Sequence, residues 1–204
     1  WSTGGDVFWA GNLCFSDDEL GLTGGRWAGM GMNGGSWSGN RLPLEWPEEW
    51  DGCLNGERTA LDMENWAVSD AELSQLSAML PRLRNLQIIN LSGNEITSLG
   101  PLADGLLALP RLKKLLLTVN LIIDIAPLVA VLPRLPCLKQ LLLDGNMIAD
   151  ISNLHQVLPK LRSLQMLDLS DNRIGIRARD LIERAFRGTN LFLEPQMARG
   201  VDRW

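Results

Sequence analysis

The chain has 204 residues, 46% of them apolar, and a formal net charge of −5. That is enough apolar material to bury a core without a disulfide framework, and the acidic balance argues against a nucleic-acid-binding face, which would be basic. The charge is uneven: residues 1–57 hold nine acids and two bases, a net −7, and residues 58–204 hold 17 bases and 15 acids, a net +2. Cys14, Cys53 and Cys137 are odd in number and form no CxxC pair, which reads as an intracellular, reducing compartment. Residues 1–20 lack the basic start and apolar centre of a signal peptide. No stretch is apolar and long enough for a membrane span. The chain starts at Trp1, as a subunit freed of an organelle-targeting peptide or a piece of a longer chain would, which leaves organelle and cytoplasm both open. Oligomeric state is not legible.

Three parts are predicted: an arm over 1–57, a repeat domain over 58–193 and a tail over 194–204. The arm holds six of the eight tryptophans (Trp1, Trp9, Trp27, Trp37, Trp46 and Trp50) and glycine runs such as Gly24-Gly25 and Gly34-Gly35, which oppose regular helix. Solvated tails are poor in aromatics. An irregular segment with large apolar anchors suits docking on a surface, and Trp1, Trp9, Trp27 and Trp37 are the expected anchors toward a partner. The plainer alternative is an irregular cap over the first repeat, which fits Trp46 and Trp50 best.

Four gap-free segments then follow a degenerate first copy. Leu86 to Ile96, Leu112 to Ile122, Leu138 to Ile148 and Leu164 to Ile174 all have the form LxxLxLxxNxL, with isoleucine at the last position and, in the first copy, at the fourth (Ile89), and with asparagines at 94, 120, 146 and 172, a constant spacing of 26. The central LxL predicts a short strand whose leucines point inward while the residues between them face out. Stacked copies place these strands in a parallel sheet. The asparagine is suited to satisfy backbone groups where the chain leaves the strand. The first copy, Leu61 to Val68, has Trp66 at the asparagine position. Its return segment opens with Ser69 and, three residues on, Glu72, a helix-capping pair. Later returns carry helix-like stretches, 102–109 and 128–132, and end on Leu-Pro pairs at 80, 109, 132 and 158, where proline stops the helix. Residues 178–187 predict an amphipathic capping helix with Leu181, Ile182, Ala185 and Phe186 inward. Leu191 to Leu193 reads as one further strand, out of phase with the repeat.

The pattern resembles the leucine-rich-repeat superfamily over about residues 58–193. The run after each strand is similar to the intracellular branch, which includes the axonemal dynein light chain and phosphatase-regulator types. The resemblance implies an α/β solenoid, curved with its parallel sheet on the concave side, that binds protein there; the arm matches no repeat.

Strand alternation predicts outward columns: Ala60, Ile88, Lys114, Gln140, Met166; then Asp62, Asn90, Leu116, Leu142, Asp168; then Glu64, Ser92, Thr118, Asp144, Ser170. Ile88, Leu116, Leu142 and Met166 form an expected apolar patch rimmed by Asp62, Asp144 and Asp168, suited to an apolar segment with basic flanks. The plainer alternative is leucine enrichment alone. The arginines 173, 177, 179, 184 and 187 form a second candidate, toward phosphate or an acidic partner; a solvated helix face is the simpler reading. His155 is the single histidine, no cysteine or second histidine completes a metal set, and no GxxxxGK[ST] loop is present. The sequence therefore reads as a non-enzymatic interaction module without cofactor or metal: a scaffold or accessory subunit, alternatively a reversible regulatory adaptor for an enzyme or motor subunit. A third reading, RNA or anionic-ligand binding through the arginines, has the least support.

Overall fold

Six strands of three residues each build one parallel sheet in chain order: β3 (Ala60–Asp62), β4 (Ile88–Asn90), β5 (Lys114–Leu116), β6 (Gln140–Leu142), β7 (Met166–Asp168) and β8 (Asn190–Phe192). They belong to a computed structural model that describes residues 8–10, 13–15, 53, 58–151 and 153–194. Within the arm, β1 (Phe8–Ala10) and β2 (Leu13–Phe15) pair antiparallel, with Trp9 opposite Cys14.

The returns carry α1 (Asp70–Met79), α2 (Gly100–Leu106), α3 (Ala126–Val131), α4 (Leu154–Val157) and the longer α5 (Ile176–Ala185). The Ser69–Glu72 pair caps α1 as expected: the Ser69 amide donates to Glu72 Oε2 at 2.9 Å, and Ser69 Oγ accepts from Ala71 N. The Leu-Pro pairs at 80, 132 and 158 each open a 3-10 turn that ends the return. Strands lie ~4.8 Å apart whereas packed helices need ~8–10 Å, so the sheet takes the inside of the stack. At Gly105 α2 comes close to α1: an added Cβ would lie 2.9 Å from the Ser77 carbonyl oxygen, so only glycine fits there.

The core lies between sheet and returns. Leu61, Ile89, Leu115, Leu141 and Leu167 stack in register across β3 to β7, and all are buried. The asparagine ladder locks this stack. Asn146 is 0% exposed; its Nδ2 donates to the carbonyls of Leu117 (2.9 Å), Leu143 (3.0 Å) and Asp144 (3.2 Å), while Oδ1 accepts from Ile122 N (3.1 Å). Asn94, Asn120 and Asn172 do the same in their own repeats. Trp66 holds the asparagine position by number only: it is 40% exposed and takes no part in the ladder's burial. In the capping helix Ile182 is buried and Ala185 and Phe186 pack on the core, but Leu181, expected inward, is 45% exposed. The helix begins two residues earlier than predicted, and only one of the adjacent pair Leu181–Ile182 can face the core.

Candidate functional site

The outward columns fall where strand alternation places them. Register pairs Ala60, Ile88, Lys114, Gln140, Met166 and Asn190 in one row, and Asp62, Asn90, Leu116, Leu142, Asp168 and Phe192 in the next. The structure brings Ile88, Leu116 and Leu142 together with Ala60, and Met166 packs against them, as an apolar cluster separate from the main core. Phe192 extends the second row by one strand. The sequence reading placed no residue there because β8 follows β7 by 24 residues, not 26.

This cluster is not open. Leu116 and Leu142 are 0% and 1% exposed, whereas Phe192, in the same row, is 44% exposed. The polar neighbours are sequestered too: Asn90, Ser92, Thr118, Asp168 and Ser170 are all buried.

The acidic rim is tied into the sheet. Asn90 Nδ2 donates to Asp62 Oδ1 (3.0 Å) and Glu64 Oε2 (3.2 Å), Thr118 Oγ1 donates to Asp144 Oδ1 (2.8 Å), and Ser170 Oγ donates to Asp168 Oδ1 (2.6 Å). Burial pushes the carboxyls of Asp62, Glu64 and Asp144 above the usual carboxylate range, and hydrogen bonds from Asn90 and Thr118 recover only part of that. At Asp144 the neighbouring Asp168 adds to the rise. Ser92 Oγ and Gln140 Oε1 on the same face are buried without a hydrogen-bond partner, an unmet cost of ~1–3 kcal/mol each.

The other candidates are placed as follows. Trp1, Trp27 and Trp37 lie outside the described residues, as does the Trp9 side chain. Arg173, Arg177, Arg184 and Arg187 are exposed on or beside α5, and Arg179 pairs with Glu194. His155 sits half-buried in α4 with Nδ1 lacking a partner. Cys53 is a buried free thiol raised by burial, and Cys137 is free and exposed. Among the described residues no group of three or more His, Cys, Asp or Glu could hold a metal ion, and no helix is long and apolar enough to cross a membrane. A hollow lined by Asp124, Ala126, Asp150 and Leu154 has a cavity volume of about 20 Å³, room for about one water molecule and far below the ~300 Å³ at which small-molecule sites begin.

Sequence reasoning missed a second apolar feature. Val119, Leu121 and Ile123, all in the turn after β5, are 57%, 41% and 60% exposed. The signal was present in the alignment: the equivalent positions in the preceding repeat are Gly93, Glu95 and Thr97, and in the last Asp171, Arg173 and Gly175. Val119 also stands at φ +50°, where Gly93 and Gly145 adopt +67° without penalty. A β-branched residue is strained there. Val119→Gly is expected to raise stability by about 0.5–1 kcal/mol, the relief being partly offset by glycine's greater freedom when unfolded. Thermal unfolding measures this, and an unchanged or lower midpoint would show that neighbouring contacts compensate the strain.

The Leucine Rich Repeat family model matches residues 85–106 and 163–187. No curated protein matches the chain. Among solved structures, an internalin (inlF) from Listeria monocytogenes is 27% identical over 57% of this chain and 37% of its own, with a TM-score of 0.40. Internalin C2 from the same organism is 21% identical over 69% of this chain and 82% of its own, TM-score 0.37. TLR13 in its complex with ssRNA13 is 23% identical over 57% of this chain and 16% of its own, TM-score 0.44. The chain thus spans little more than a third of the first of these. Four in-phase LxxLxLxxNxL copies, family-model matches at two of them and a six-stranded parallel sheet locked by an asparagine ladder make this chain a leucine-rich-repeat protein.

Proposed function

We propose that the chain is a non-enzymatic protein-interaction module, a scaffold or accessory subunit of a larger assembly, whose concave face holds an apolar segment with basic flanks. The observation that supports this reading is the second apolar cluster. Ala60, Ile88, Leu116 and Leu142 are buried together on the side of the sheet away from the core, where folding of the repeats does not need them. Asp62, Glu64 and Asp144 surround the cluster, and their raised carboxyls mark negative charge held at a desolvation cost. A basic flank offsets that cost and selects against acidic partners. The reversible-adaptor form of the reading has its own support. Ser92 Oγ and Gln140 Oε1 lack partners, so a segment whose backbone supplies them gains over whatever else covers the face.

The test is capture of partners from the native source by the full chain and by Leu116→Asp plus Leu142→Asp, with circular dichroism confirming the fold. Each aspartate sets an unpaired charge in the apolar patch and is expected to cost more than 2 kcal/mol of binding, about a thirtyfold loss per site. Partners retained in a folded double variant would remove the concave face from the interaction. Asp144→Asn tests the charge separately. It keeps the acceptor for Thr118 and is expected to raise stability at pH 7, by at most about 1 kcal/mol because the carboxylate is partly solvated. The sign follows from the raised carboxyl. Between the unfolded value near ~3.9 and the higher folded value, the folded state holds more protons. Stability of the parent chain therefore rises as pH falls from neutral through the folded value, and Asp144→Asn loses that share. Denaturant titrations at pH 7 and about pH 4.5 measure both, and an equal pH response in the two proteins would rule this role out.

A further inference from the structure

We infer that the edge of the sheet where the strands begin is a second interaction surface, and that it takes an acidic protein segment. The inference does not depend on the concave-face reading. It starts from where the charge lies. Residues 80–90, 107–117, 131–143 and 157–167, which run from the end of each return into the next strand, hold two, three, two and two bases, nine in all, and no acid. Residues 62–72, 92–98, 118–124, 144–150 and 168–172, which carry the chain off the strands, hold ten acids and no base. The strands are parallel and in register, so every entry lies on one edge of the sheet and every exit on the other. The repeats thus have one basic and one acidic edge, although the nine and the ten nearly cancel.

Local stability accounts for only part of the basic edge. Arg82, Arg134 and Lys160 close 3-10 turns, where a cation suits the free carbonyls. Arg111 Nη1 donates to Asn85 Oδ1 at 3.1 Å. Lys113 and Lys139 have no such reason. Both are exposed, and the Lys139 amide donates to the Lys113 carbonyl at 2.8 Å, so the two lysines stand side by side, ~4.8 Å apart along the edge. Like charges at that spacing weaken a sheet, and neither lysine makes an ion pair among the described residues. An anion laid along the edge removes the repulsion.

A protein segment fits that edge better than nucleic acid does. The four entry segments contain no Trp, Phe, Tyr or His on which a base could stack. A long polyanion also overruns the edge. Asp144 and the acidic side lie five residues on from Lys139, ~17 Å along the strand direction, and the whole chain carries −5. From β4 to β7 the edge spans ~14 Å, which about five extended residues cross. Arg111 and Arg162 add guanidinium forks that match carboxylates, with Lys113 and Lys139 on the strands between.

Fluorescence anisotropy of a labelled hexaglutamate peptide with the full chain tests this, beside an oligouridylate of equal charge. At low ionic strength the peptide is expected to bind, and to bind more tightly than the oligonucleotide. Its affinity should fall at least about tenfold between ~0.01 M and ~0.15 M salt, as the screening length shrinks from ~30 Å to ~8 Å. Lys113→Glu plus Lys139→Glu should weaken binding at low salt at least about tenfold, since each reversal replaces an attraction by a repulsion. Both side chains are exposed, so the fold should survive, which circular dichroism checks. Lys113→Gln plus Lys139→Gln should lose less, and it carries the test if the reversed pair unfolds. Arg184→Glu plus Arg187→Glu makes the same change in net charge on α5 and is expected to cost less than about threefold. No binding of the peptide at low salt, tighter binding of the oligonucleotide, or an equal loss from the α5 pair overturns the inference.

Discussion

Asn146→Ala is expected to lower stability by about 3–5 kcal/mol, more than most single changes in a domain of this size. The side chain is 0% exposed and sits between three carbonyls and one amide that water cannot reach. Alanine removes all four contacts at once. It strands the Ile122 amide and weakens the carbonyl set of Leu117, Leu143 and Asp144. Each orphaned group costs ~1–3 kcal/mol, and relaxation or an entering water recovers part of that. The effect is not only local. Asn146 belongs to one repeat, yet the Leu117 carbonyl and Ile122 amide belong to the one before. In a stack held by neighbour interfaces, this weakens the joint between two units in the middle of the array. Thermal unfolding should shift down by roughly 10 °C and lose cooperativity, the two halves separating in denaturant. A fall of less than about 1 kcal/mol with a sharp single transition would mean that the ladder is not what couples the repeats.

The ladder also shows what the sequence could reveal. A constant spacing of 26 fixes register without any structure: if Asn120 and Asn146 do the same job, Leu115 must face Leu141, and Leu116 must face Leu142, as they do. The ends were harder because their spacing breaks. β3 precedes β4 by 28 residues and β8 follows β7 by 24. Trp66 stands at the asparagine position by counting but is 40% exposed, since the buried slot that the ladder fills exists only between two repeats. The amphipathic pattern of α5 puts Leu181 and Ile182 on the same face, but the helix starts two residues earlier than that pattern predicts and only Ile182 is buried. The candidate site was legible in direction and not in environment. Alternation states which way Leu116 points; it does not state what lies above it. The raised carboxyls of Asp62 and Asp144 follow from burial, which no local pattern encodes. Val119 shows a third limit: Gly93 and Gly145 share its column, but only the φ angle of +50° shows that valine there adopts the backbone conformation that suits glycine.

Leu141→Ala and Leu142→Ala should part company although the two residues are adjacent on β6. Leu141 is 0% exposed and stacked in register between Leu115 and Leu167, inside the main core. Its neighbours are pinned on both sides by strands and behind by the returns, so truncation leaves a cavity that cannot collapse. The expected cost is about 3–5 kcal/mol. Leu142 is nearly as buried, at 1%, but in the concave cluster. In that cluster the returns do not pin it from behind, so its surroundings can settle into the gap. The expected cost is about 1–2 kcal/mol, within the range for sites that relax. Denaturant titration of the two variants measures the difference. Equal costs would mean that the concave cluster is as rigidly enclosed as the core and that the face serves stability alone.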